Sequence, residues 1–256
     1  MLEFLRTRLQ QGMRTSSFPA GDVDLPERFR GLPVLDPAPC GDAVSLPTGL
    51  VADGGGPRPA LDLGACLFAP EEGACTPAGA VRFTRDHRLA SSTREGLVTP
   101  TGEFEMARAL DRSMLELFGR SLRLRSVAAG SCNGCEAELV ALGNVVFDLA
   151  RFGVQFVASP RHADGLVITG TVNRNMRTAL EKTWEATPAP RIVIAVGACA
   201  ISGGPFRGSE EAGTGVPESI PVDLYIPGCP PHPLTVLDGM LRMLGRLAEE
   251  RAAGRR

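Results

Sequence analysis

Two cysteines stand three residues apart in Gly130-Ser131-Cys132-Asn133-Gly134-Cys135-Glu136, and two more, Cys199 and Cys229, follow singly at a distance. Each site comes just after a short apolar run: Leu124–Ala129, Ile192–Val196 and Val222–Ile226. Thiolates are soft ligands, and four of them suit a tetrahedral zinc ion or an iron–sulfur cluster. If the apolar runs are strands of one parallel sheet, the loops leaving their carboxyl ends converge on one rim, where open sheets place their ligands. Cys132, Cys135, Cys199 and Cys229 then meet there. A lone C-x-x-C would be weak evidence. Joined by two cysteines framed by glycine and proline, in Gly197-Ala198-Cys199 and Pro227-Gly228-Cys229-Pro230-Pro231, it is a strong signal. Zinc is the competing chemistry, although zinc sites usually come as two C-x-x-C knuckles. A thioredoxin-like redox pair at Cys132 and Cys135 would leave the other two cysteines unexplained.

The surrounding pattern predicts the elements that would position these residues. Strands are expected at 124–129, 154–158, 165–169, 191–196 and 222–226, and helices at 136–150, 174–186 and 233–250. Leu234, Leu237, Leu241, Leu244 and Ala248 line one face of the last helix. Alternating strand and helix argues for a parallel sheet covered on both faces. Apolar runs without clean alternation fit strands buried on both sides. Glu136 and Glu138 open the helix beside the thiols, where the helix dipole favours acidic residues in any case; a proton relay or a partner contact is the alternative. Arg161 and His162 follow a strand end and are expected on the same rim, in reach of the cysteines or of a partner, with a plain surface loop as the equal alternative. His232 reads as a packing or interface residue, and Trp184 as core or interface.

The first half of the chain is different. Leu2, Leu5 and Leu9 recur at helical spacing with Arg6, Arg8 and Arg14 among them, a short amphipathic helix. Packing on its own domain is the expectation, and docking on a partner or a membrane surface the alternative. Residues 15–100 are rich in glycine and proline but hold a weak repeat. Leu35-Asp36-Pro37-Ala38-Pro39-Cys40 matches Leu61-Asp62-Leu63-Gly64-Ala65-Cys66, and Pro47-Thr48-Gly49-Leu50-Val51 matches Pro77-Ala78-Gly79-Ala80-Val81. The doubled unit resembles the bacterial two-cluster ferredoxin with its C-x-x-C-x-x-C-x-x-x-C-P run. Laid on that run, the second unit offers Cys66, Ala69, Glu72 and Thr76, with Cys75 one position out of register; the first unit keeps only Cys40. A ferredoxin shape that has lost its clusters is the expectation. A metal site on Cys40, Cys66 and Cys75 would need a fourth ligand such as His87. Phe104, Ala107, Leu110, Met114 and Leu117 predict a helix over 101–120 that links the two halves.

Composition closes off several function classes. A formal net charge of −2 offers no basic field for nucleic acid or anionic lipid. Lys182 is the only lysine, so arginine supplies nearly all positive charge, a bias without an evident functional message. Seven cysteines point to a reducing compartment, where such residues bind metal more often than they form disulfides. Met1–Arg14 lacks the long apolar core of a secretory signal, and no apolar stretch approaches the ~20 residues that cross a bilayer.

From about Ser126 to Leu244 the chain resembles the cluster-bearing small subunit shared by complex I (its 20 kDa-type subunit) and membrane-bound NiFe hydrogenases of the formate hydrogenlyase type. The matching stretches are Gly130–Glu136, Ser159-Pro160-Arg161-His162-Ala163-Asp164, Gly197-Ala198-Cys199 with Ser202-Gly203-Gly204, and Ile226–Pro231. The resemblance implies a flavodoxin-like α/β fold and one 4Fe–4S cluster on Cys132, Cys135, Cys199 and Cys229. It implies an electron-transfer subunit of an oxidoreductase complex, not catalytic alone. Its partners would be a large catalytic subunit, a ferredoxin-like electron-transfer subunit and, indirectly, membrane-arm subunits. The expected location is the cytoplasmic face of the inner membrane, peripheral, through those partners. The C-x-x-C spacing matches the hydrogenase-type members, since complex I members place two cysteines side by side. A quinone-reductase-type subunit, or a hydrogenase-related complex without nickel, is the alternative. The implied division is an amphipathic helix and linker over 1–25, a degenerate ferredoxin-like α+β module over 26–100, a linking helix over 101–122 and the cluster domain over 123–250.

Overall fold

A computed structural model describes residues 2–21, 23–35, 51–52, 60–69, 81–99 and 104–247. Cys40, Cys75, Glu72, Thr76 and Ala248, on which parts of the sequence reading rest, lie outside the described residues.

The chain opens with helix α1 (Leu2–Gln11), closed by Gly12, whose N–H donates to the Arg8 carbonyl at 3.2 Å. None of its residues is buried, so the expected packing on its own domain is not what forms. Five short strands follow. β1 (Pro33–Leu35) pairs antiparallel with β4 (Val81–Phe83), and β2 (Val51–Ala52) with β3 (Ala60–Asp62), which also pairs with β5 (Val98–Thr99). The first strand of one repeat thus pairs with the last of the other, and the last with the first, as an approximate twofold would require.

Helix α2 (Arg112–Phe118) is much shorter than the expected 101–120. Asp111, in extended conformation, caps it by accepting from the Met114 N–H at 3.0 Å. The segment before it runs as a strap with its backbone bonded elsewhere: Glu105 N–H to Gly96, Ala107 N–H to Ala90 and Leu110 N–H to Met243. The apolar spacing of Ala107 and Leu110 reflects one packed side of that strap.

The second half is a sheet of five strands, β6 (Leu122–Ala128), β7 (Val154–Phe156), β8 (Gly165–Thr169), β9 (Ile192–Val196) and β10 (Leu224–Ile226), ordered β10-β9-β8-β6-β7 with every pair parallel. In chain order this is the flavodoxin-like winding 2-1-3-4-5. All residues of β8 and β9 are buried, as strands covered on both faces must be. Alternate side chains feed two cores. Leu124, Val167, Ile194 and Val196 meet helix α6 (Pro233–Met243) through Leu237, Met240 and Leu241. On the other face Val127, Leu166, Ile168 and Val193 meet Leu180 of helix α4 (Arg174–Ala186). Two shorter helices, α3 (Gly134–Ala141) and α5 (Ala198–Ser202), complete the rim.

Helix α3 stops well short of the expected residue 150. Asn144 turns the chain, its Oδ1 accepting from the Val146 and Phe147 N–H groups at 2.8 and 3.1 Å. Helix α6 ends at Met243, with Gly245 following in left-handed conformation at φ +68°. The front half is fastened to this sheet. Ser91 exchanges two backbone hydrogen bonds with Tyr225 along the free edge of β10, at 3.0 and 2.8 Å, and Leu63 and Leu97 share a core cluster with Ala200 and Ile201 of α5.

Candidate metal centre

Three loops at the carboxyl ends of β6, β9 and β10 carry the four cysteines. Cys132 lies in the turn after β6, and Cys135 sits in the first turn of α3, behind Asn133 in left-handed conformation at φ 70°. Cys199 is the second residue of α5, and Cys229 lies between β10 and α6. Backbone bonds lock the last two loops together: Gly197 N–H donates to Ile226 and Ala198 N–H to Gly228, both at 2.8 Å. Cys132 and Cys229 are exposed, whereas Cys135 and Cys199 are half-buried.

Two glycines make room for sulfur. A Cβ built on Gly197, at φ +89°, would stand 2.5 Å from the Cys135 Sγ, and one on Gly204, at φ +54°, would stand 2.9 Å from the Cys199 Sγ. No side chain fits either place, and an L-residue would resist either conformation. The cradle therefore holds thiols from two different loops against bare backbone.

The electrostatics favour a cationic guest. Burial pushes the Cys199 thiol up to about 11, with the charges of Cys229, Cys132 and Glu136 adding to it. Burial drives Cys135 up as well, with Glu136 and the other three thiols contributing. Thiolates packed together under a partial cover repel one another, and a cluster core of positive charge offsets that repulsion. Among the described residues no group of three or more His, Cys, Asp or Glu is close enough to clasp a single metal ion. The donor set, all thiol, fits an iron–sulfur core held by four cysteines.

Glu136 is the acidic neighbour that sequence reasoning left at the level of a dipole preference. Its carboxylate accepts a hydrogen bond from the Thr169 hydroxyl at the end of β8, and its second oxygen, Oε2, is buried without a partner. The partnership spans two strand ends and had no local signal in the sequence. Glu138 faces a cleft of about 240 Å³ between the front half and the rim, lined also by Phe29, Arg30, Cys229, Pro230 and His232, and burial raises its carboxyl above the usual range. His232 caps α6 by accepting from the Leu234 N–H at 3.2 Å, its ring edge-on to Phe29 and Phe147. Trp184 belongs to the core, half-buried beneath the Arg191 guanidinium at 3.9 Å.

Arg161 and His162 are not on this rim. They precede β8, and Asp164 beside them bonds Arg123 near the start of β6 and the Ile192 N–H at the start of β9, which puts them at the opposite end of the strands. The strand before them, β7, is only three residues long and pairs with the first residues of β6, so its end lies level with the beginning of β8. In the front half, Cys66 is fully buried among Leu61, Phe68, Val81 and Phe83, and its Sγ accepts from the Phe68 N–H at 3.4 Å.

Residues 132–243 match the profile of the family described as NADH ubiquinone oxidoreductase, 20 Kd subunit. The chain is 41% identical over 162 residues to formate hydrogenlyase subunit 7 of Escherichia coli, covering 63% of this chain and 64% of that one, just under two thirds of the relative's length. It is 42% identical over 136 residues to the probable membrane-bound hydrogenase subunit mbhJ of Pyrococcus furiosus, covering 53% of this chain and 81% of that one. It is 45% identical over 117 residues to an NADH-quinone oxidoreductase subunit of Citrifermentans bemidjiense, covering 46% of this chain and 68% of that one.

Proposed function

Because the chain belongs to the family of the 20 kDa subunit of NADH:ubiquinone oxidoreductase, we propose that it is an electron-transfer subunit holding one 4Fe–4S cluster on Cys132, Cys135, Cys199 and Cys229. What supports the reading is that the loops at three strand ends of one parallel sheet carry the four cysteines, with Gly197 and Gly204 against the sulfurs of Cys135 and Cys199. When bound, the cluster supplies a one-electron relay centre. The protein's own contribution is positional. Gly197 and Gly204 clear space for the sulfurs, the paired β9 and β10 loops hold Cys199 and Cys229, and Glu136 is anchored by Thr169. Cys132 and Cys229 stay exposed, the side on which a large catalytic subunit would sit.

The complex we favour is a membrane-associated hydrogenase of the formate hydrogenlyase type, with this chain as a subunit that does not catalyse alone. The C-x-x-C spacing and two hydrogenase relatives support it. The NADH-quinone oxidoreductase relative favours a second reading, a complex I-like quinone oxidoreductase. The front half, whose strands pair as an approximate twofold, serves as a ferredoxin-like module without clusters. The intact complex, purified anaerobically, decides between the readings. Nickel together with hydrogen-dependent dye reduction supports the hydrogenase assignment, and a nickel-free complex that reduces quinone supports the second. A full chain that takes up zinc and no iron would overturn both.

A further inference from the structure

Helix α1 is a folded amphipathic element that its own chain leaves uncovered. Leu2, Phe4, Leu5 and Leu9 are 84%, 72%, 52% and 83% exposed, and Met13 just beyond the helix is 87% exposed. A helix of 10 residues is marginal in water by its own propensity, so most of its stability must come from burying a face. At about 100° per residue, Leu2, Leu5 and Leu9 fall within roughly 60° of one another. Arg6 borders the stripe on the Leu2 side and Arg8 lies beyond Leu5, between it and Phe4, while Glu3, Thr7, Gln10 and Gln11 share the back. Between residues 1 and 14 three arginines stand against one glutamate, although the whole chain is acidic at −2.

An exposed leucine stripe flanked by Arg6 and Arg8, with Phe4 exposed beyond Arg8, fits a lipid surface. Long basic side chains lie along the apolar edge and lift their charge to the phosphates above it. A protein groove would need acceptors placed on two sides for the same arginines. The helix is also firmly tethered. Only residues 12–15 separate it from Ser16, whose N–H donates to the Val146 carbonyl at 2.8 Å and whose own carbonyl accepts from Arg151 at 3.0 Å. Val145 and Val146, at that anchor, are exposed as well.

We propose that α1 is an interfacial anchor that lies on an anionic lipid surface, its leucine stripe in the headgroup–acyl boundary and Arg6, Arg8 and Arg14 against lipid phosphates. The proposal is independent of the chemistry assigned to the rim. Among the described residues no helix is long and apolar enough to cross a membrane, so the contact is with one surface only. The test is sedimentation of the full-length, cluster-loaded chain with vesicles of phosphatidylcholine mixed with phosphatidylglycerol, and with phosphatidylcholine alone. The wild type pellets with the anionic vesicles, at least about ten-fold less with the uncharged ones, and is released by high salt. Leu5→Glu/Leu9→Glu and Arg6→Glu/Arg8→Glu each reduce pelleting by a similar factor. Because no residue of α1 is buried, both variants keep the wild-type cluster spectrum and melting temperature. Absence of pelleting, equal pelleting with both lipids, or variants that pellet like the wild type would overturn the proposal. So would variants that keep lipid binding but fail to co-purify with the partner subunits, since the helix would then be a protein contact.

Discussion

At the residue scale the chain separates four cysteines carried by loops at one end of the sheet from Cys66, which is buried in the front half. Replacing Cys199 with alanine removes one of the four thiols of the proposed site and is expected to abolish the cluster signal in electron paramagnetic resonance. Replacing Cys66 with alanine shrinks an apolar cluster and leaves that signal intact. If Cys66→Ala bleaches the protein while it remains folded, the assignment of the front half is wrong. Gly197→Ala is expected to act twice. It forces an L-residue into a left-handed backbone at a cost of about 1–3 kcal/mol and drives a methyl group into the Cys135 sulfur, so iron per chain drops together with the melting temperature. Thr169→Val leaves the Glu136 carboxylate without its one donor and costs about 1–3 kcal/mol in denaturant unfolding. The placement of the cysteines after three strand ends was legible because each follows directly on an unbroken apolar run. The Glu136–Thr169 bond was not, because nothing in the sequence joins residues on neighbouring strand ends. Nor was the use of arginine. Arg85, Arg151, Arg191 and Arg246 each donate to two backbone carbonyls, tying coil segments down, so the bias against lysine has a structural use after all. A planar fork reaches two carbonyls at once, where an ammonium acts as a point charge.

Elements were readable wherever one face stays buried along their whole length. Strand β8 and helix α4 fall at the expected residues because an apolar run and a capped amphipathic stretch specify them alone. The strap over residues 104–110 defies the helical spacing of its apolar residues, since its contacts come from Ala90, Gly96 and Met243, far away in sequence. Helix α6 shows a further dependence between elements. Its cap is His232, three residues beyond Cys229, and burial lowers the pKa of that ring, while His87 nearby is lowered chiefly by burial and raised in part by Asp238 and Asp86. In the folded protein both rings take up a proton less readily than a free imidazole. Unfolding returns them to about 6.5, so the unfolded chain binds more protons once the pH falls below that value, and stability drops from there downward. His232→Asn keeps a capping oxygen without a titrating group. The variant should therefore lose less melting temperature than the wild type between neutral and mildly acidic pH. An identical pH dependence in the two proteins would rule His232 out as a contributor.

On the scale of the whole molecule, the front half is seated on the sheet rather than strung beside it. Ser91 seals the edge of β10, and Leu63 and Leu97 rest on the helix that carries Cys199. Anaerobic reconstitution of the full chain is expected to yield about four irons and four labile sulfides. Eight irons would place clusters in the front half and refute its reading as a spent ferredoxin. The division of the chain was visible as a change of texture, from glycine- and proline-rich sequence to alternating strand and helix, but the seating was not, because it depends on shape at a surface. The uneven cover of the four thiols has one more consequence. With Cys132 and Cys229 open to solvent, a chain carrying the proposed cluster outside a complex would expose these cysteines to dissolved oxygen, and thiolates released from a damaged cluster enter the oxidation ladder that ends in sulfinic and sulfonic acids. Under the proposed function an isolated copy should bleach in air far sooner than the same chain within a complex that covers this side, so its synthesis would best keep pace with assembly.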